Sequence, residues 1–116
     1  MTQLDALLRT LAIESIVGLA CLWLLARAQL REQSWRALAV LVAASLLTHP
    51  FAWWGNQALL GVLELWPRYA IIELAVVAIE TLVLHVALRV RWPIAAATSL
   101  LMNAASFGFG LWWMWR

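Results

Sequence analysis

Lysine is absent from this chain of 116 residues, cysteine occurs once, and acidic side chains number only six. The single cysteine, Cys21, excludes an internal disulfide and any cysteine-based metal cluster, and leaves the redox compartment unreadable. Charged residues make up 12% of the chain against 66% hydrophobic, and the mean hydropathy is +0.87. That balance is too apolar for a water-soluble domain. It excludes a soluble catalytic or nucleic-acid-binding unit, so no nucleic acid is expected as a partner, and the net charge of +2 reports nothing about DNA. No motif implies a cofactor.

What is present is a series of long apolar runs. The composition predicts an all-α integral membrane protein, a single transmembrane domain over 1–116 with spans at about 7–26, 35–53, 70–90 and 92–113, each long enough to cross a bilayer. Thr2 to Asp5 can cap the first segment. Gly18-Leu19-Ala20-Cys21 faintly resembles a lipoprotein signal, but Gly18 replaces the large aliphatic residue, Glu14 interrupts the run and Leu22 to Ala26 continue it, so the first segment is expected to be retained. Arg27 to Arg36 read as a short basic loop. Pro50 disfavours helix at His49, which predicts a kink or unwinding around Thr48-His49-Pro50. Residues 56–66, rich in Leu, Val and Trp, read as a short interfacial helix between the second and third spans. Arg89, Arg91 and Trp92 form a tight turn, and Pro93 opens the fourth span. The result is a four-helix up-and-down bundle.

The third span carries the costliest residues. A carboxylate in hydrocarbon is unfavourable by ~2.5 kcal/mol or more unless paired, protonated or hydrated, so Glu73 and Glu80 together form a functional-site hypothesis. Seven residues apart, they fall within about 20° of each other around the helix and ~10.5 Å apart along it. They are expected to face the fourth and first segments. Glu14, Gly18 and Cys21 mark a small, polar face of the first segment. Ser45 and His49 lie one turn apart in the second. Ala96, Ser99, Asn103, Ser106 and Gly110 make a stripe in the fourth that serves either close packing or ligand binding. At ~1.5 Å per residue, Glu73, His49, Glu14, Glu80 and Asn103 all fall in one half of the bundle, so these residues and Ser106 are the candidate binding or coupling set. His49, Glu14 and Glu73 are acceptable metal-ligand types without motif spacing. His85 falls off the glutamate stripe and is expected to face another helix or chain.

Five of the eight arginines, Arg27, Arg31, Arg36, Arg89 and Arg91, lie in the two loops of one side. The positive-inside rule then places both termini outside, in a bacterial inner membrane. Three functions compete: proton- or cation-coupled transport of a small polar or cationic solute through an outward-opening carboxylate, histidine and asparagine pocket; an accessory or assembly subunit of a larger membrane complex; and an intramembrane enzyme acting on a lipid headgroup, for which no nucleophile motif speaks. Transport through so thin a chain needs a homo-oligomer. In size, span number and a glutamate in the first segment the chain resembles the small multidrug transporters. The two glutamates of segment three depart from that pattern, and no motif is shared.

Overall fold

The apolar runs become helices because nothing inside them offers the backbone a better partner than itself. The computed structural model describes residues 2–116 and is 89% helix, with no strands among them. The elements are α1 (Gln3–Leu25), α2 (Arg27–Glu32), α3 (Ser34–Ala58), α4 (Leu65–Leu88) and α5 (Trp92–Trp115). All but α2 are long and apolar enough to cross a membrane. The longest dimension of the molecule, 46 Å, matches a bilayer of roughly 40–45 Å including headgroups.

Local signals set the ends. Thr2 and Asp5 form a reciprocal capping box at α1: the Thr2 hydroxyl accepts from the Asp5 N–H, and the Asp5 carboxylate accepts from the Thr2 N–H, both at 3.1 Å. Pro67 sits in the first turn of α4 and Pro93 at the start of α5, where no intrahelical donor is required.

Three expectations need correction. The basic segment after α1 is not wholly loop, because Arg27–Glu32 winds into the short helix α2. Helix α3 does not unwind at Pro50 but continues through it to Ala58. One backbone donor is lost there, while the turn beyond it packs, with a Cβ built on Gly55 falling 3.7 Å from Ile72. The interfacial helix over 56–66 does not form. Residues up to 58 belong to α3, and Leu59 to Glu64 make consecutive turns around Gly61, whose φ of +85° is a glycine conformation. The linker that remains is too short for another helix.

The four long helices form a ring in the order α1, α3, α4, α5 and back to α1. Their interior is divided. Toward the α1–α3 and α4–α5 connections it is apolar, built on Leu22, Ala37, Leu41, Leu84, Leu88, Ala95 and Met102. Packing there is close enough that a Cβ on Gly18 would lie 2.8 Å from Leu41 Cδ2 and 2.9 Å from Met102 Sδ. That end is tied by side chains that reach the last carbonyls of α4: Gln33 Nε2 donates to the Leu88 carbonyl at 2.8 Å and Arg36 Nε to that of Ala87 at 3.0 Å. His85 belongs to the same device. Its Nδ1 donates to the Val90 carbonyl at 2.7 Å and its ring stacks on Trp92 with centroids 3.7 Å apart, fixing the turn in which Arg89 has φ +56°. It faces another helix, as one of the two expected alternatives had it, at the first residue of α5. Toward the termini, the interior turns polar.

Candidate functional site

Glu14 of α1 and Glu80 of α4 are almost wholly enclosed, at 2% and 0% exposure. Each is held by two neutral side chains. Glu14 meets Ser45 Oγ through Oε2 and Ser106 Oγ through Oε1, the latter at 2.9 Å. Glu80 meets Thr48 Oγ1 through Oε1 at 2.9 Å and Asn103 Nδ2 through Oε2 at 3.0 Å. All four long helices therefore contribute to the cluster. Glu80 faces α5, as expected, but its second partner is Thr48 of α3, and it is Glu14 that brings in α1.

The proton count in this cluster is informative. Thr48 Oγ1 also lies 2.9 Å from the Ala44 carbonyl, and Ser106 Oγ lies 3.2 Å from that of Asn103. A hydroxyl has one proton to give, and a carbonyl can only accept. Both sets of distances are satisfied when each glutamate is a neutral acid. Glu80 then donates to Thr48, which donates to Ala44, while Asn103 donates to Glu80. Likewise Glu14 donates to Ser106, which donates to Asn103, while Ser45 donates to Glu14. Neutral acids also remove the cost of enclosing unpaired carboxylates. Glu14 thus sits in one hydrogen-bonded group with Ser45 and Ser106, and Glu80 in a second with Thr48 and Asn103; Ser106 joins the two only at the Asn103 main-chain carbonyl.

Glu73 is different. It is half-buried, and among the described residues no side-chain donor is bonded to it. It lines a cavity of about 250 Å³ between the four helices, together with His49, Asn56, Tyr69, Ser106 and Phe107. A smaller space of about 70 Å³ continues inward from shared walls at Thr10, His49 and Glu73 to Glu14, Thr48 and Asn103. The two make a funnel, with Glu73 in its throat and Glu14 on its floor. Glu80 lies behind that floor, reached through Thr48 and Asn103. His49 Nε2 is buried at the throat with no hydrogen-bond partner. At the outer end Trp113 is flanked by two guanidinium groups, Arg9 at 3.7 Å and Arg116 at 3.4 Å from its ring.

The structure thus brings Glu14, Glu73, His49, Asn103 and Ser106 to one space and Glu80 to its inner wall. It does not assemble a metal centre from His49, Glu14 and Glu73: among the described residues no three such ligands converge. The stripe on α5 is rotated slightly from its expected position, with Ala96 exposed and Ala95 and Met102 buried beside Ser99 and Asn103. One partner was not singled out from sequence, the hydroxyl of Thr48, and Ser45 was noted beside His49 but not placed in the candidate set. The available signal was that both fall on the His49 side of a helix otherwise apolar.

Comparison with protein families, curated proteins and solved structures finds no match to this chain. Function therefore has to be argued from the site. The four apolar helices are those of a small multi-pass membrane protein.

Proposed function

We propose that this protein is a proton- or cation-coupled transporter of a small polar or cationic solute, lying in a bacterial inner membrane with both termini outside and working as a homo-oligomer. The observation that carries the reading is the funnel with an unpaired carboxyl in its throat and two hydrogen-bonded acids behind it. A cation entering from the wide end meets Glu73 first and Glu14 next. Its charge is offset when Glu14 or Glu80 gives up a proton to water in the funnel, directly from Glu14 and by way of the Thr48 hydroxyl from Glu80. Coupling of this kind needs acids that are neutral when the site is empty and have an exit for the proton; the hydrogen-bond distances around both acids suit the first and the inner space beside Glu14 and Thr48 suits the second.

The apolar half of the bundle closes the far side, so passage across the membrane requires rearrangement against a second copy. The accessory-subunit reading is the weaker one, because Glu14 and Glu80 are satisfied within a single chain and leave no acidic stripe for a partner. An enzymatic reading gains little, since the hydroxyl beside an acid in the funnel, Ser106, is taken up by Glu14 and the Asn103 carbonyl.

The test uses the protein reconstituted in proteoliposomes with a trapped pH dye and methylammonium as the probe cation. A methylammonium gradient should drive counterflow of protons that Glu80→Gln and Glu14→Gln abolish. Proton flux equal to that of empty liposomes, for methylammonium and for larger quaternary amines alike, overturns the proposal.

A further inference from the structure

Glu73 borders two spaces at once. Besides the funnel, it lines a hollow of about 470 Å³ between α4 and α5, on the outside of the bundle. That volume lies within the roughly 300–1,000 Å³ typical of small-molecule sites. Its walls include Ala70, Leu74, Leu100 and Ala104, all exposed, and the two alanines contribute only methyl groups, which is why the groove is open. The wall between hollow and funnel is the pair Tyr69 and Phe107, packed edge to face with ring centroids 5.7 Å apart; both residues line both spaces. An occupant continuous with the two must be apolar along α4 and α5 and polar where it reaches Glu73.

The sign of the polar end follows from the groups that meet it. Both amide hydrogens of Asn103 are committed, one to Glu80 at 3.0 Å and one to the Ser99 carbonyl at 2.8 Å. Asn103 therefore offers the groove only its oxygen. Glu73 offers a carboxyl, and the Tyr69 and Phe107 rings offer faces that attract cations. A phosphate or carboxylate head would face the Glu73 carboxyl and the Asn103 oxygen, with only the neutral Tyr69 hydroxyl and Trp66 indole as donors in the hollow, whereas an ammonium finds acceptors and aromatic rings.

The geometry points to a lateral binding site for a long-chain amine, with its hydrocarbon chain in the α4–α5 groove and its ammonium head at Glu73, beside the Tyr69 and Phe107 pair. Only the assignment of Glu73 to a cation rests on the proposed function. The chain site does not require transport. The site lets an amphiphilic cation reach the funnel from the side, without first leaving the membrane for water.

The experiment is photo-crosslinking in phosphatidylcholine nanodiscs with hexadecylamine carrying a mid-chain diazirine, beside probes of the same chain with a hydroxyl or a sulfate head, followed by peptide mapping. The amine probe should attach within residues 70–77 and 100–107, and the sulfate probe should not. Ala104→Trp, which fills the groove from an exposed position, should cut this labelling about tenfold or more, the worth of one displaced apolar side chain. Glu73→Gln, which preserves volume, should reduce the amine to the level of the hydroxyl probe. Label spread evenly to Leu24 and Leu47 on the other helices, or unchanged in both variants, overturns the site. A change of oligomer mass in Ala104→Trp overturns it in favour of a second copy in the groove. Methylammonium counterflow measured on the same preparations separates the two readings. Lost groove specificity with counterflow intact removes only the lateral site, and absent counterflow with groove labelling intact removes only the coupling.

Discussion

Thr48 Oγ1 stands 2.9 Å from the Glu80 carboxyl and equally far from the Ala44 carbonyl, two contacts that its single proton serves fully only if a neutral Glu80 donates to Thr48 across the α3–α4 contact. A glutamine at position 80 reproduces this pattern, its amide nitrogen donating to Thr48 and its oxygen accepting from Asn103. Glu80→Gln should therefore change stability by less than ~1 kcal/mol. Glu80→Ala, which leaves both partners unmatched beside a new void, should cost ~2–4 kcal/mol. Thermal unfolding of the purified variants reads the difference. Equal losses in the two would mean that the enclosed carboxyl is an anion.

Gly18 is the closest approach of α1 to its neighbours. Gly18→Ala sets a methyl against Leu41 and Met102, both fully enclosed, and should destabilise by about 1–3 kcal/mol. Because the clash is with the flexible end of Leu41, the double variant with Leu41→Ala should lose less than the sum of the single losses. Strict additivity in denaturation would show that the helices separate freely at this level.

Arg89 holds a left-handed conformation, φ +56° and ψ +29°, at an exposed position. Glycine adopts it without the Cβ penalty, so Arg89→Gly should raise stability by roughly 0.5–1 kcal/mol. His85→Ala should act in the opposite direction, by about 1–2 kcal/mol, through loss of the Val90 hydrogen bond and the Trp92 stack. Hydrogen exchange of the amides at 88–92 checks both, and faster exchange in Arg89→Gly would contradict the first.

The proposed orientation rests on the arginine distribution. In a Cys21→Ala background, a cysteine at Gln3 should react with a membrane-impermeant maleimide applied from outside, and one at Glu32 only after permeabilisation. The reverse pattern would overturn the proposed topology.

The four long helices were legible because each is a long apolar run, with Thr2, Pro67 and Pro93 marking starts. What was misread lay where local chemistry competes with composition. Leucines and tryptophans in 59–66 suggested a helix, yet Gly61 at positive φ and the extended backbone of Glu64 break it. Pro50 suggested a kink or unwinding, yet α3 continues through it to Ala58. Within the site, depth along a helix follows from counting residues, so Glu14, Glu73, Glu80 and Asn103 could be placed in one layer. Which neighbour a given face meets does not follow from counting, which is why Thr48 was not placed beside Glu80, nor Ser45 beside Glu14. The α4–α5 groove is a consequence of small side chains, Ala70 and Ala104, whose signal in a sequence is faint.

The division of the interior into a polar and an apolar half has an electrical consequence. In the proposed orientation, water entering the funnel would carry the outer potential down to Glu14, and most of the membrane voltage would fall across the dry layer of Leu22, Leu41, Leu84, Leu88 and Met102. A charge bound in the throat then senses little of the field. A charge crossing the dry layer senses nearly all of it, ~2.3 kcal/mol per 100 mV. Occupancy at Glu73 should be almost indifferent to voltage, while translocation past Met102 should depend on it steeply.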